Sequence, residues 1–149
     1  MNTIDGIIAN QELYSVGPDT SVTDAACYMA ERRIGAVSVI EDDKLIGIMS
    51  ERDLMTKVVA EGRDPKTTIV RDVMSQRLVH GTPGETFASC IQKMLENKCR
   101  HLPIVADGRV VGMVSIRDLY RIDATEKAGE IDAMNEYLYS SPKVSRNAI

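Results

Sequence analysis

The chain has 149 residues, 44% of them hydrophobic, enough for a compact domain with its own core and no need of disulfide or metal staples. Only 4% are aromatic and none is Trp, so the core must be built from Val, Ile, Leu, Met and Ala. A formal net charge of −4 argues against broad attraction to nucleic acid or anionic lipid, and no stretch approaches the ~20 apolar residues of a membrane-spanning helix.

The opening MNTIDGIIANQ has no basic start and only a brief apolar run, so no secretory signal is read and a cytoplasmic location is expected. A short strand is expected from Leu13 to Val16, then a turn at Pro18, whose ring fixes φ. Val22, Ala26 and Met29 recur at helical spacing. An apolar strand from Ala36 to Ile40 follows, closed through the polar turn Glu41-Asp42-Asp43-Lys44 onto a returning strand, Leu45 to Met49, with a helix opening after Ser50. The segment Glu61 to Lys66 has the turn residues of a connector. The same order then recurs. A strand at Leu78 to His80 leads to a helix carrying Phe87, Ile91, Met94 and Leu95. A strand Leu102 to Val105 turns through Ala106-Asp107-Gly108-Arg109 into Val110 to Val114, and a helix opens after Ser115. From Ala124 to Ser140, the spacing of Ile131, Met134 and Leu138 predicts a further amphipathic helix before a frayed tail.

The recurrence is a duplication. Gly47-Ile48-Met49-Ser50-Glu51-Arg52-Asp53-Leu54 returns as Gly112-Met113-Val114-Ser115-Ile116-Arg117-Asp118-Leu119, an offset of 65 residues. Held backwards without a gap, that offset sets Asp42 on Asp107, Glu31 on Glu96, Met29 on Met94, Pro18 on Pro83, Leu13 on Leu78, Gln11 on Gln76 and Ile4 on Ile69. The expected architecture is α+β: two β-α-β-β-α repeats, each with a sheet too small to bury both faces alone, packed about a pseudo-twofold axis, plus a C-terminal helix. The expected boundaries are 1–61 for the first repeat, 62–67 for the linker, 68–123 for the second repeat and 124–149 for the helix and tail.

Two β-α-β-β-α units, each ending in Gly-h-h-Ser-x-x-Asp (h apolar), together with Arg100-His101-Leu102-Pro103 ahead of the second hairpin, resemble the tandem CBS domain pair, the family named after cystathionine β-synthase. The resemblance covers roughly residues 4 to 122, and the duplicated terminal motif makes it specific as a pair. It implies clefts between the repeats that take adenosine ligands: AMP, ADP, ATP, S-adenosylmethionine or NAD. It also implies a disk-like homodimer, which the 124–140 helix would either support or leave alone by covering its own sheet.

The motif's chemistry can be argued directly. A strand ending in Ser and opening a helix turns free backbone N–H groups outward, where an anion is favoured. Asp53 and Asp118 offer carboxylate oxygens to the 2′- and 3′-hydroxyls of a ribose. Ser50 and Ser115 donate to a phosphate or bond the ribose, and Arg52 and Arg117 supply guanidinium forks for phosphate oxygens. The same Ser-x-x-Asp is also a capping box, which explains Ser and Asp without a ligand, and the two roles can coexist. By the resemblance, an adenine slot is lined by Val16, Ile34, Gly35 and Ala36, the small residues permitting close approach of a flat ring. The matched second-copy positions are Cys99, Arg100 and His101, bulkier and more polar, so the two sites are expected to differ. Arg100 and His101 are read as phosphate-facing, possession of the ligand lying mainly with the other copy, against the plainer reading of a surface Arg and a half-buried His beside Pro103. Lys57, Arg63 and Lys66 either reach a further phosphate or are solvated. Where the first copy has Thr20 as a ribose or phosphate contact, the second has Glu85, whose charge would weaken that contact.

Cys27, Cys90 and Cys99 have no CxxC or Cys/His spacing, so reduced, at least partly buried thiols are expected and no metal site. There is no GxxxxGK[ST], HExxH or GxSxG, and neither His80 nor His101 has an evident nucleophile, so no enzyme is read. The expectation is a regulatory module for energy or redox sensing and signal transduction, holding an adenine nucleotide (AMP, ADP or ATP) or NAD and shifting the geometry of its own dimer or a regulated protein. The alternative is a structural dimerisation or interaction module with empty or vestigial pockets.

Overall fold

The computed structural model describes residues 3–76 and 78–122, so the helix expected at 124–140 and the tail lie outside the described residues. The chain divides into two compact units, 1–114 and 115–149. Among the described residues no helix is long and apolar enough to cross a membrane.

Within the first unit the order is α1 (Asp5–Ile8), β1 (Ser15–Val16), α2 (Val22–Arg32), β2 (Ala36–Glu41) and β3 (Lys44–Ser50). Next come α3 (Glu51–Asp53), a π-helical run (Leu54–Val59), a 3-10 turn (Val70–Asp72), α4 (Phe87–Asn97), β4 (His101–Ala106) and β5 (Arg109–Ser115), whose last residue falls in the second unit. In the second unit, residues 116–122 are helical. Strand β1 pairs in parallel with β2, and β2 pairs antiparallel with β3, with a register shift between Val39 and Ile40. Strands β4 and β5 pair with each other.

Local chemistry accounts for these elements. Both hairpins turn through two consecutive residues in the left-handed region, Asp42 and Asp43 (φ 51° and 63°) and Asp107 and Gly108 (φ 52° and 77°). That matches the twist of the flanking strands. Ser21 caps α2 and Thr86 caps α4, each side chain accepting from the amide three residues on. Both helices also stop in the same way. Arg33 and Lys98 adopt left-handed conformations, and the amides of Ile34 and Cys99 return to the carbonyls of Met29 and Met94 at 3.1 and 3.0 Å. This Schellman closure aims the chain directly into β2 or β4.

Several expected details shift. The strand expected at Leu13 to Val16 is only Ser15–Val16. Residues 78–80 form no strand, the second copy making instead a parallel bridge between Gly81 and Ile104. Gly81 fits there because a Cβ would sit 2.8 Å from the Ile104 side chain. The inward face of α2 is Val22, Ala25 and Met29, not Ala26. In α4 it is Phe87, Cys90 and Met94, while Leu95 is exposed. The first-repeat core joins these α2 residues to Val16, Val37, Val39 and Met49 and also takes Val58, Val70, Val73 and Met74.

Those last residues reveal how the copies hold each other. The lead-in of the second copy packs on the first: Ile69 bridges Ser21, Val70 donates to Thr20, and Ser75 exchanges bonds of 2.8 and 3.0 Å with Ile48. The lead-in of the first copy packs on the second: Thr3 bridges Thr86, Ile4 donates to Glu85 O at 3.0 Å, and the Gln11 side-chain amide bonds both backbone groups of Met113. The swap is reciprocal, as a pseudo-twofold pairing of repeats requires. Glycines mark both docking points. A Cβ on Gly47 would lie 2.5 Å from Met74 Sδ and 3.1 Å from Ser75 O, and one on Gly112 would lie 2.5 Å from Ile8 Cγ2. Gly47→Ala should therefore cost about 1–3 kcal/mol through overpacking. Urea unfolding checks this, and an unchanged midpoint would show that the lead-in is not held there.

Candidate functional site

The first motif sits where β3 becomes α3. Ser50 is the last residue of the strand and the cap of the helix. Its Oγ accepts from the Asp53 amide at 3.2 Å, and Asp53 Oδ2 accepts from the Ser50 amide at 2.9 Å and from the Ser50 hydroxyl at 3.1 Å. The capping box is complete, and Asp53 is only 8% exposed. Its other oxygen, Oδ1, pairs with Lys57 Nζ at 3.1 Å, and the same ammonium donates to Val73 O at 3.1 Å. Of the four lone pairs of the carboxylate, the two on Oδ2 are engaged and one remains on Oδ1. Lys57 thus meets an aspartate, and Arg63 pairs with Glu61.

Beside this joint lies a cavity of about 470 Å³, in the size range of small-molecule sites. Ser50, Glu51, Arg52, Asp53 and Met55 form one wall. Lys98, Cys99, Arg100 and His101, delivered by the turn at the end of α4, form another, and Ile48, Ser75 and Val79 complete the lining. The structure therefore brings the first copy's Ser-x-x-Asp motif together with the second copy's Cys99-Arg100-His101. Arg52 and Arg100 are exposed and have no ion-pair partner among the described residues. With Lys98 they give one region of the wall a positive charge, while among the described residues Glu51 is the one acidic lining residue besides the lysine-paired Asp53. Such a wall can take a hydroxyl on Asp53 and an anion on the guanidinium groups.

The other expected residues lie elsewhere. Val16 and Ala36 are buried, Ile34 packs against the core, and none of Val16, Thr20, Ile34, Gly35 or Ala36 lines this cavity. Gly35 adjoins it: a Cβ there would stand 3.3 Å from both Glu51 Oε1 and His101 Nε2, and its carbonyl accepts from the Glu51 amide at 2.9 Å. Its smallness admits those two side chains. Ser115, Arg117 and Asp118 belong to the second unit. There Ser115 Oγ accepts from the Asp118 amide at 3.1 Å, and Asp118 Oδ1 pairs with Arg121 at 2.9 Å. Sequence reasoning did not single out Ile48, Glu51, Met55, Ser75, Val79 or Lys98. Glu51 and Lys98 were findable as charged neighbours of chosen residues, whereas Ser75 and Val79 reach the cavity only through the exchange of lead-ins.

Glu85, the counterpart of Thr20, is engaged internally: it accepts from Lys93 at 2.8 Å, Ser89 at 2.8 Å and the Thr82 amide at 3.1 Å. Burial pushes its pKa up, but the bonds from Lys93, Ser89 and Thr82 outweigh burial and hold it below the ordinary 4.5. Its contribution to stability is thus complete above the unfolded value and lost as pH falls through the lowered one. Glu85→Gln should lower stability at pH 7 and flatten its acid dependence below about pH 4.5, read by thermal unfolding against pH. The thiols divide as well. Cys90 is buried, and desolvation with the nearby Glu85 carboxylate pushes it up to about 12. Burial also raises Cys99, while Cys27, expected to be at least partly buried, is exposed because it sits on the outer side of α2. Iodoacetamide at pH 8 should mark Cys27 first and spare Cys90. Peptide mass mapping checks this, and early Cys90 labelling would contradict the packing of α4.

The CBS domain family model matches residues 5–60 and 70–124. The mitochondrial CBS domain-containing protein CBSX3 of Arabidopsis thaliana is 35% identical over 125 residues, covering 80% of this chain and 61% of the plant protein, so the chain spans about three fifths of that relative. The CBS domain-containing protein YhcV of Bacillus subtilis is 35% identical over 108 residues, covering 72% of this chain and 76% of that protein. A solved CBS domain pair in complex with 5′-methylthioadenosine and S-adenosyl-L-methionine superposes with a TM-score of 0.76 at 20% identity, covering 85% of this chain and 98% of that one.

Proposed function

The chain belongs to the CBS-domain family as a tandem pair, a class of regulatory and not catalytic modules, and from that premise we propose that it binds an adenosine ligand carrying phosphate in the cavity between Ser50–Asp53 and Lys98–His101. AMP, ADP, ATP and NAD are the ligands meant, bound in the cytoplasm as a signal of energy or redox state. The observation that carries this reading is the meeting of the first copy's Ser50–Asp53 with the second copy's Lys98–His101 around one cavity, with two guanidinium groups that have no ion-pair partner among the described residues beside a nearly buried carboxylate. The adenosine ligands of the solved pair support the class of ligand. Asp53 takes a ribose hydroxyl on the open lone pair of Oδ1, and Arg52 and Arg100 take phosphate oxygens. The Ser115-Arg117-Asp118 set is proposed as the counterpart motif of the second copy, and Val16, Thr20, Ile34, Gly35 and Ala36 as the adenine and ribose side of a family-type slot. Regulation follows if the occupied form prefers a different arrangement of the dimer or of a regulated protein, since equal affinity for both shifts nothing.

A second reading, a structural interaction module, is favoured by two observations. The Ser50–Asp53 box is satisfied without any ligand, and Met55 and Val59 expose 60% and 76% of their surface on the π-helical run. It makes these residues a contact for a second copy of the chain.

Titration calorimetry with AMP, ADP, ATP and NAD separates the two. The sensing reading expects saturable heat with at least one of them and a loss of affinity of about tenfold or more in Arg100→Ala/His101→Ala, from removal of charge-assisted bonds. No heat with any of the four, alongside a dimer in light scattering that Val59→Asp makes monomeric, would leave the interaction module.

A further inference from the structure

Lys57 lies outside the cavity lining, yet it holds Asp53, the nearly buried carboxylate of that lining. Its ammonium spans two elements, 3.1 Å from Asp53 Oδ1 and 3.1 Å from the carbonyl of Val73. The backbone around it is π-helical, Ala60 N–H returning to Met55 O at 2.9 Å, and Lys57 stands four residues beyond Asp53. Val73 belongs to the lead-in of the second copy, which packs on the first. Val70 and Val73 are buried in the first-repeat core, and Ser75, two residues on, lines the cavity while pairing both backbone groups with Ile48. One ammonium therefore ties Asp53 in the cavity wall to the lead-in of the second copy.

We propose that Lys57 is a latch between the cavity and the lead-in of the second copy, and that a ligand's vicinal diol opens it; the inference rests on the adenosine reading of this site. A cis-diol needs two acceptor positions, but Asp53 has one lone pair open, because Ser50 fills Oδ2 and Lys57 shares Oδ1. The first hydroxyl takes the open lone pair. The second displaces Lys57 from Oδ1, since the Ser50 amide is fixed at the end of the strand and the Ser50 hydroxyl is held in the cap. Released, Lys57 loses the partner that positions it under Val73, and residues 73–75 loosen from Ile48. Occupancy is thereby converted into freedom of the second copy's lead-in.

Hydrogen exchange on the full chain with AMP as the probe tests this, AMP being the adenosine 5′-phosphate unit shared by ADP, ATP and NAD. AMP should speed exchange at the amides of 73–75 and at Ile48, whose amide bonds Ser75 O, by about three- to fivefold while slowing it around His101, a change on the order of one partly exposed ion pair. Lys57→Met without nucleotide should show the same faster exchange and should bind AMP about three- to fivefold more tightly, since no ion pair has to be broken. Lys57→Gln, which keeps a donor toward Val73, serves should the Met variant fail to fold. 2′-Deoxy-AMP, with a single ribose hydroxyl, should bind without the faster exchange. If AMP binds and 73–75 stay as slow as in the free protein, or if both Lys57 variants bind it with unchanged affinity, the diol displaces Ser50 or nothing and the latch is wrong while the adenosine site stands. If AMP, ADP, ATP and NAD all fail to bind the wild-type chain and the variants, the adenosine reading falls and the latch with it.

Discussion

A carboxylate that is 8% exposed at the joint of a strand and a helix has to be hydrogen-bonded, and the way Asp53 is partnered organises everything around it. Its bonds to Ser50 end β3 and start α3 in a single residue step. Its partner Lys57 stands on the π-helical run that follows and through the carbonyl of Val73 reaches the lead-in of the second copy. One oxygen remains partly open, and it is the oxygen a ligand would use. Capping and binding are consecutive demands on one side chain, and the cap contributes on the order of 1 kcal/mol whether or not a ligand arrives.

The cavity exists because two copies of one unit exchange their lead-ins. Each lead-in packs on the partner copy's sheet at a glycine, Met74 on Gly47 and Ile8 on Gly112, so neither copy closes its own core alone. That exchange brings Ser75 to the wall beside Ser50, and the left-handed turn at Lys98 brings Arg100 and His101 to the opposite wall. The positive charge of the site is therefore supplied largely by one repeat and its carboxylate by the other. A ligand held between them reports on both.

Much of this was legible in the chain because the determinants are local. Asp42-Asp43 and Asp107-Gly108 tolerate the left-handed region and so mark both hairpins, and Ser-x-x-Asp reads as a cap from spacing alone. The faces of the helices were half legible. Apolar spacing chose Ala26 and Leu95, yet the core takes Ala25 and Cys90, since an apolar side chain is free to stay outside and only tertiary packing decides which does. The tie between Lys57 and Asp53 had a signal in its four-residue spacing. The parts of the site carried by Ser75, Val79 and the crossing of the lead-ins had none, because no local pattern tells a segment which of two similar copies it will pack on. Gly35 shows the same limit: its small size was legible, but that it admits Glu51 and His101 was not.

Native mass spectrometry of the chain as first purified, with no nucleotide added, bears most directly on the claim that this cavity is an adenosine site. The account predicts a population heavier by one adenosine phosphate or dinucleotide, released intact on denaturation, and missing when Arg52 and Arg100 are both replaced by Ala. A bare polypeptide mass that stays bare after incubation with millimolar AMP, ADP, ATP and NAD would contradict it.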